Sequence, residues 1–152
     1  MAIIFLDIDG VLRVRPKPRF PRQWSRRACA NLGCLLDAAP EAKLVISSFW
    51  RIGRELAELA TIFASIGIDP ARVIGKTPEL PGQTRADEIR AWLAQNPTHS
   101  YVAFDDNQLS SEPDSHFIRV DFRTGLGARE CVRALDVLTC GVRTDSTELK
   151  GA

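Results

Sequence analysis

Apolar residues recur along this chain in two rhythms. Short unbroken runs at 2–6, 43–47, 101–104 and 117–120 are rich in Ile, Val, Phe and Tyr and bounded by polar or turn residues, which predicts buried strands. Arg72-Val73-Ile74 is a weaker run of the same kind. Between them the apolar positions take a helical spacing. Ser25 is placed to cap a helix presenting Ala28, Leu32, Leu35 and Leu36 and ending before Pro40. A second helix shows Leu56, Leu59, Ala60 and Phe63 and is stopped by Gly67. A third opens near Thr84 with Asp87 in its first turn, shows Ile89, Trp92 and Leu93, and ends at Asn96-Pro97. A fourth runs from about Ala128 to Leu138, and the polar stretch 143–152 has no periodicity. Strand and helix alternate, so the pattern predicts an α/β fold. Its form is a three-layer, doubly wound parallel sheet with helices on both faces and right-handed crossovers.

Two of the apolar runs end in acids. Phe5-Leu6-Asp7-Ile8-Asp9-Gly10-Val11-Leu12 closes a strand with two carboxylates one residue apart, and Tyr101-Val102-Ala103-Phe104 closes with Asp105-Asp106. Carboxylates are tolerated there only if they project past the carboxyl ends of the strands, where open parallel sheets keep their ligand crevices. Either acid pair alone is compatible with an Asx turn. If the two strands are neighbours, the acids converge, and like charges that close require a proton or a cation. An all-oxygen donor set without Cys or His favours Mg²⁺. Ser47 and Ser48 follow the second strand as hydroxyls able to donate to a phosphate or to cap the next helix. Arg85 opens the third helix, where a cation opposes the helix dipole and so suggests another task; Lys76 competes for it.

The chain has 152 residues, 45% of them apolar and 26% charged, which predicts one soluble domain with a sizeable core. Its net charge of +1 is unevenly spread. Residues 11–36 hold Arg13, Arg15, Lys17, Arg19, Arg22, Arg26 and Arg27 and no acid, leaving 13 basic against 19 acidic elsewhere, net −6. The four cysteines show neither C-x-x-C spacing nor a neighbouring histidine, so buried thiols are expected rather than zinc or a redox pair. No stretch approaches the roughly 20 apolar residues of a membrane span, and the apolar start is too short for a signal peptide. A cytoplasmic protein with no membrane partner is the expectation.

In this order, Asp7-x-Asp9-Gly10-Val11-Leu12 after strand one, a hydroxyl residue after strand two, a basic residue opening the helix before strand four and Asp105-Asp106 after it resemble the haloacid dehalogenase (HAD) superfamily of aspartate-nucleophile phosphatases. Ser47-Ser48-Phe49-Trp50-Arg51, Gly75-Lys76-Thr77-Pro78, Arg85-x-x-Glu88 and Gly125-Leu126-Gly127 are similar to the small, cap-less HAD domains of RNA-repair proteins. The resemblance implies strand order 3-2-1-4-5, no cap domain, and a phosphatase domain over 1–142 followed by a tail at 143–152. It makes Asp7 the nucleophile of an aspartyl-phosphate mechanism and Asp9 the general acid and base. Mg²⁺ falls to Asp7, the Asp9 carbonyl, Asp105 and, in support, Asp106. Ser47 or Ser48 binds phosphate together with Arg85, which stands where the family more often has lysine.

The intervals 13–24 and 75–84 are too short for a folded cap, so an open site is expected. It suits a large substrate, or a small one enclosed by a second copy in a homo-oligomer. Arg13, Arg15, Lys17, Arg19 and Trp24 beside the crevice favour a phosphorylated nucleic-acid end or nucleotide. A phosphatase of small phosphorylated metabolites and a non-catalytic phosphate or nucleic-acid binding module on the same scaffold are the alternatives. A receiver-type signalling domain orders its acids differently.

Overall fold

The computed structural model describes residues 1–148, with side chains through 140. The five-stranded sheet is built from β1 (Ala2–Leu6), β4 (Ala42–Ile46), β5 (Val73–Lys76), β6 (Tyr101–Asp105) and β7 (Phe117–Arg119). Its spatial order is β5-β4-β1-β6-β7 and every pairing is parallel. Counting only these five strands, that is the 3-2-1-4-5 order implied by the resemblance. β1 sits at the centre because nothing in Ala2-Ile3-Ile4-Phe5-Leu6 needs water; all five residues are buried.

Among the described residues four α-helices cover the sheet: α1 (Arg26–Ala38), α2 (Leu56–Ser65), α3 (Arg85–Gln95) and α4 (Ala128–Glu148). Their starts are set by the expected caps. Ser25 Oγ accepts from Ala28 N at 3.1 Å, and Thr84 and Asp87 form a reciprocal capping box. Strand alternation then sorts the core. Ile4, Leu6, Leu44, Ile46, Val102 and Phe104 face α1, α2 and α4, packing with Leu32, Leu59, Phe63 and Leu138. Ile3, Phe5, Val45 and Ala103 face the other way, onto Ile89 and Trp92 of α3. Each fully buried Leu, Ile or Phe in these layers contributes about 1.5–3 kcal/mol.

Three features depart from the periodicity reading. A two-stranded antiparallel hairpin, β2 (Arg13–Val14) with β3 (Gln23–Trp24), occupies the interval after β1. Strands of two residues are too short to show alternation. Helix α4 continues ten residues past Leu138, to Glu148; residues 149–152, the end of the expected tail, lie outside the described residues. Among the cysteines Cys29 is buried and Cys131 half-buried, but Cys34 and Cys140 are exposed, because they fall on the solvent faces of α1 and α4. Among the described residues no helix is long and apolar enough to cross a membrane.

Candidate active site

The register of the sheet brings the acids together. Leu6 pairs with Ile46 on one side and Phe104 on the other, so Asp7, Ser47 and Asp105 form the next row across three neighbouring strands. The ladder continues into that row: Asp7 N donates to Phe104 O and Ser47 N to Leu6 O, each at 3.1 Å. By the same alternation that buries Phe5, Val45 and Ala103 under α3, all three side chains emerge on the α3 side. Asp7 and Asp105 are buried, and carboxylate oxygens of Asp7, Asp105 and Asp106 lie within 4.8 Å of one another.

Helix α3 begins directly over this row and delivers Arg85. Its Nη1 is 2.7 Å from Asp105 Oδ2 and 3.1 Å from Asp7 Oδ2. Two carboxylates thus offset the unfavourable placement of a cation at a helix N-terminus. Lys76 points elsewhere, donating to the carbonyls of Arg51 and Arg54. Asp7 Oδ1 accepts from Ile8 N and Asp105 Oδ1 from Asn107 N, each at 2.9 Å.

One guanidinium does not balance three acids. Burial, then repulsion from Asp105, pushes the Asp7 carboxyl up to about 7, against the pull of Arg85. Burial also raises Asp105, again opposed by Arg85. A buried oxygen cluster with surplus negative charge fits a hard divalent cation and offers neither sulfur nor imidazole to a softer one.

Asp9 is held apart from that trio. Its Oδ1 accepts from Arg13 Nη1 at 3.0 Å, and its Oδ2 from Trp50 Nε1 at 3.3 Å, with Arg22 Nη1 at 3.4 Å. The reversal that sends the chain from β1 into the hairpin depends on Gly10, whose φ is +85°. A Cβ there would also fall 2.5 Å from Asp106 Oδ2. Gly125 meets a comparable demand: its φ is +75°, and a Cβ would lie 2.8 Å from Val11 O. The 125–127 loop is thereby held against the turn that follows Asp9.

Of the basic and aromatic residues expected to meet substrate, Arg13 and Trp24 are engaged internally. The Arg13 guanidinium lies 5.0 Å over Trp50 and 5.8 Å over Trp24, and the two indoles meet edge-on at 5.7 Å. Arg15, Lys17 and Arg19 are exposed on the hairpin loop, with Lys17 5.9 Å over the exposed Phe20 ring.

The two serines part company. Ser48 Oγ accepts from Trp50 N and caps the 3-10 turn Phe49–Arg51. Ser47 is buried beside Asp7, and among the described residues its hydroxyl makes no hydrogen bond.

Arg51 and Glu88 carry the site without having been assigned a role from sequence. Arg51 donates to the carbonyls of Ser47, Ser48, Thr77 and Pro78 and to Glu88 Oε2, while Glu88 Oε1 accepts from Leu80 N. Their only trace was their presence in the two short stretches that resembled RNA-repair domains. No spacing rule links residues 37 positions apart. Trp50, packed against the edge of the core, is also a hydrogen-bond donor to Asp9.

A cavity of about 530 Å³ opens on Arg85 and Asp105 between Phe49 and Leu109. A larger one, about 640 Å³, lies beyond the 107–115 loop toward Arg133 and touches none of the four acids.

Residues 3–131 match a family model described as the HAD domain in Swiss Army Knife RNA repair proteins. No curated protein and no solved structure matches the chain.

Proposed function

The chain belongs to the HAD domains of that RNA-repair family, and from this premise we propose that it is a Mg²⁺-dependent phosphohydrolase acting on terminal phosphates of nucleotides or polynucleotides. The observation that carries the reading is the convergence of Asp7, Asp105, Asp106 and Arg85 at the carboxyl ends of adjacent strands.

In the first step a carboxylate oxygen of Asp7 attacks phosphorus while the bond from phosphorus to the leaving oxygen breaks. Asp9 gives the leaving oxygen a proton. In the second, water attacks the aspartyl phosphate, Asp9 takes the water proton, and Asp7 is released with inorganic phosphate. Arg85 already touches the nucleophile and sits where transferred charge accumulates. Ser47 Oγ, in the same row as Asp7, is the hydroxyl for a phosphate oxygen, while Ser48 lies one position past that row and caps the next turn. Asp7, Asp105, Asp106 and the Asp9 carbonyl would hold Mg²⁺, which when bound supplies Lewis-acid shielding of the phosphoryl oxygens. Asp9, held by Arg13, Arg22 and Trp50, links this chemistry to the hairpin. The exposed Arg15, Lys17 and Arg19 on the loop of that hairpin supply charge for a phosphate backbone. The catalytic unit is assigned to residues 1–142.

The test is hydrolysis of an aryl phosphate and of 3′- and 5′-phosphorylated oligonucleotides with and without Mg²⁺. Turnover that needs Mg²⁺ and vanishes in Asp7→Asn is expected; full activity of Asp7→Asn overturns the assignment.

A further inference from the structure

Phe49 follows directly on Ser47-Ser48, yet it belongs to neither hydrophobic cluster and is 73% exposed. Ile52, one turn on, is 41% exposed. Large apolar side chains left at the lip of a polar site are spared from water only when something covers them. Both line the cavity whose floor includes Arg85 and Asp105, and Leu109 also lines it. One face of the Phe49 ring lies 5.2 Å from the Arg85 guanidinium carbon, so the ring stands beside the place where a phosphate paired with Arg85 would sit. The remaining polar lining includes the amides of Gln83 and Gln108, which both donate and accept. About 530 Å³ is within the range of small-ligand sites.

We propose that this cavity receives the nucleobase of the phosphate-bearing nucleotide, stacked on Phe49 with its polar edge against Gln83 and Gln108. The inference rests on the phosphohydrolase reading and adds to it where the leaving group goes. Stacking needs only a flat ring, and amides can meet either donors or acceptors, so the site discriminates little among bases. It does discriminate against a paired end, because a base stacked and paired within a duplex cannot also lie on Phe49. The hairpin cations then serve the strand leading away from the terminal nucleotide rather than the nucleotide itself.

The test compares kcat/KM, with Mg²⁺, for a phosphorylated single-stranded oligonucleotide and for the same oligonucleotide lacking the base of its phosphate-bearing residue. The wild-type protein is expected to prefer the first about ten- to hundred-fold, the range that stacking supplies. The ratio should fall to near one in Phe49→Ala and return in Phe49→Trp. Because both substrates present the same phosphate to Arg85, any disturbance of the Phe49–Arg85 contact cancels in the ratio. A wild-type ratio near one, or a ratio undiminished in Phe49→Ala, overturns the base site while leaving the phosphatase intact. Failure of the wild type to hydrolyse either substrate rejects the phosphohydrolase reading and this inference with it. A free nucleotide run alongside locates the source of the base: dependence on Phe49 there assigns the cavity to nucleotides, and dependence only in the oligonucleotide assigns it to strand ends. Either result supports a base site.

Discussion

Arg51 and Glu88, 37 residues apart in the chain, meet at 2.8 Å beside the carboxyl ends of the strands, with the arginine side chain only 3% exposed. Every N–H of the guanidinium is used: four carbonyls from the loops after β4 and β5 and one carboxylate from the first turn of α3. The loop bearing Ser47 and the helix bearing Arg85 are therefore tied to one planar group. Replacing Arg51 with Met strands a buried carboxylate and four carbonyls, and is expected to cost about 3–5 kcal/mol. Arg51→Lys should rescue little, since an ammonium cannot reach the same fork of partners. Urea denaturation midpoints check both.

Asp7 makes a signed prediction for the metal-free protein. Its carboxyl is raised from 3.8 to about 7 by burial and by Asp105, so between these values the folded state holds a proton that the unfolded state has lost. Stability must then fall as pH rises through that window and level off above it. Asp105, also raised, adds to the same slope. In chelator, Tm is expected to decline from pH 4 to pH 7; Asp7→Asn should flatten the decline and raise Tm at pH 8. A Tm that climbs steadily across the window contradicts the assignment.

Arg85 touches both Asp7 and Asp105 through one nitrogen. Its removal should lower kcat for an aryl phosphate by about 10²–10³, the usual effect of deleting one preorganised donor to developing charge. Arg85→Lys keeps the charge and is expected to recover part of the loss, since a single nitrogen makes both contacts here. Steady-state kinetics on the three proteins settle the order. Equal activity in all three would remove Arg85 from the phosphate site.

Arg15, Lys17 and Arg19 are exposed on the hairpin loop and free to track a strand. Each phosphate neutralised contributes about −0.7 to the slope of log affinity against log salt for single-stranded nucleic acid. The triple alanine variant should therefore flatten the salt dependence of oligonucleotide binding by about two units, measured by fluorescence anisotropy. An unchanged slope would move the nucleic-acid path off the hairpin.

Local pattern carried a good deal of this. The unbroken run at 2–6 read as a buried strand, Ser25 and Thr84 announced their helices, and Asp7, Asp9 and Asp105-Asp106 stood where strands end. All of these depend on neighbours within a few positions, through alternation, the 3.6-residue turn or a capping hydrogen bond. Such rules read equally well from a string of letters. The hairpin escaped because two-residue strands have no period, and Ser47 and Ser48 could not be told apart because adjacent letters do not say which of them falls in the row of Asp7.

The sequence by itself determined the order of the layers, the chemistry available at the strand ends and the identity of the acids. Tertiary structure alone decided that Asp9 is held by Arg13, Arg22 and Trp50, that Arg85 rather than Lys76 meets the carboxylates, and that Arg51 spans three segments while Phe49 is left uncovered. Those are contacts between residues mostly tens of positions apart. Their partners are chosen by sheet register and by the angle at which α3 lands on the sheet, quantities that exist only once the chain has closed on itself.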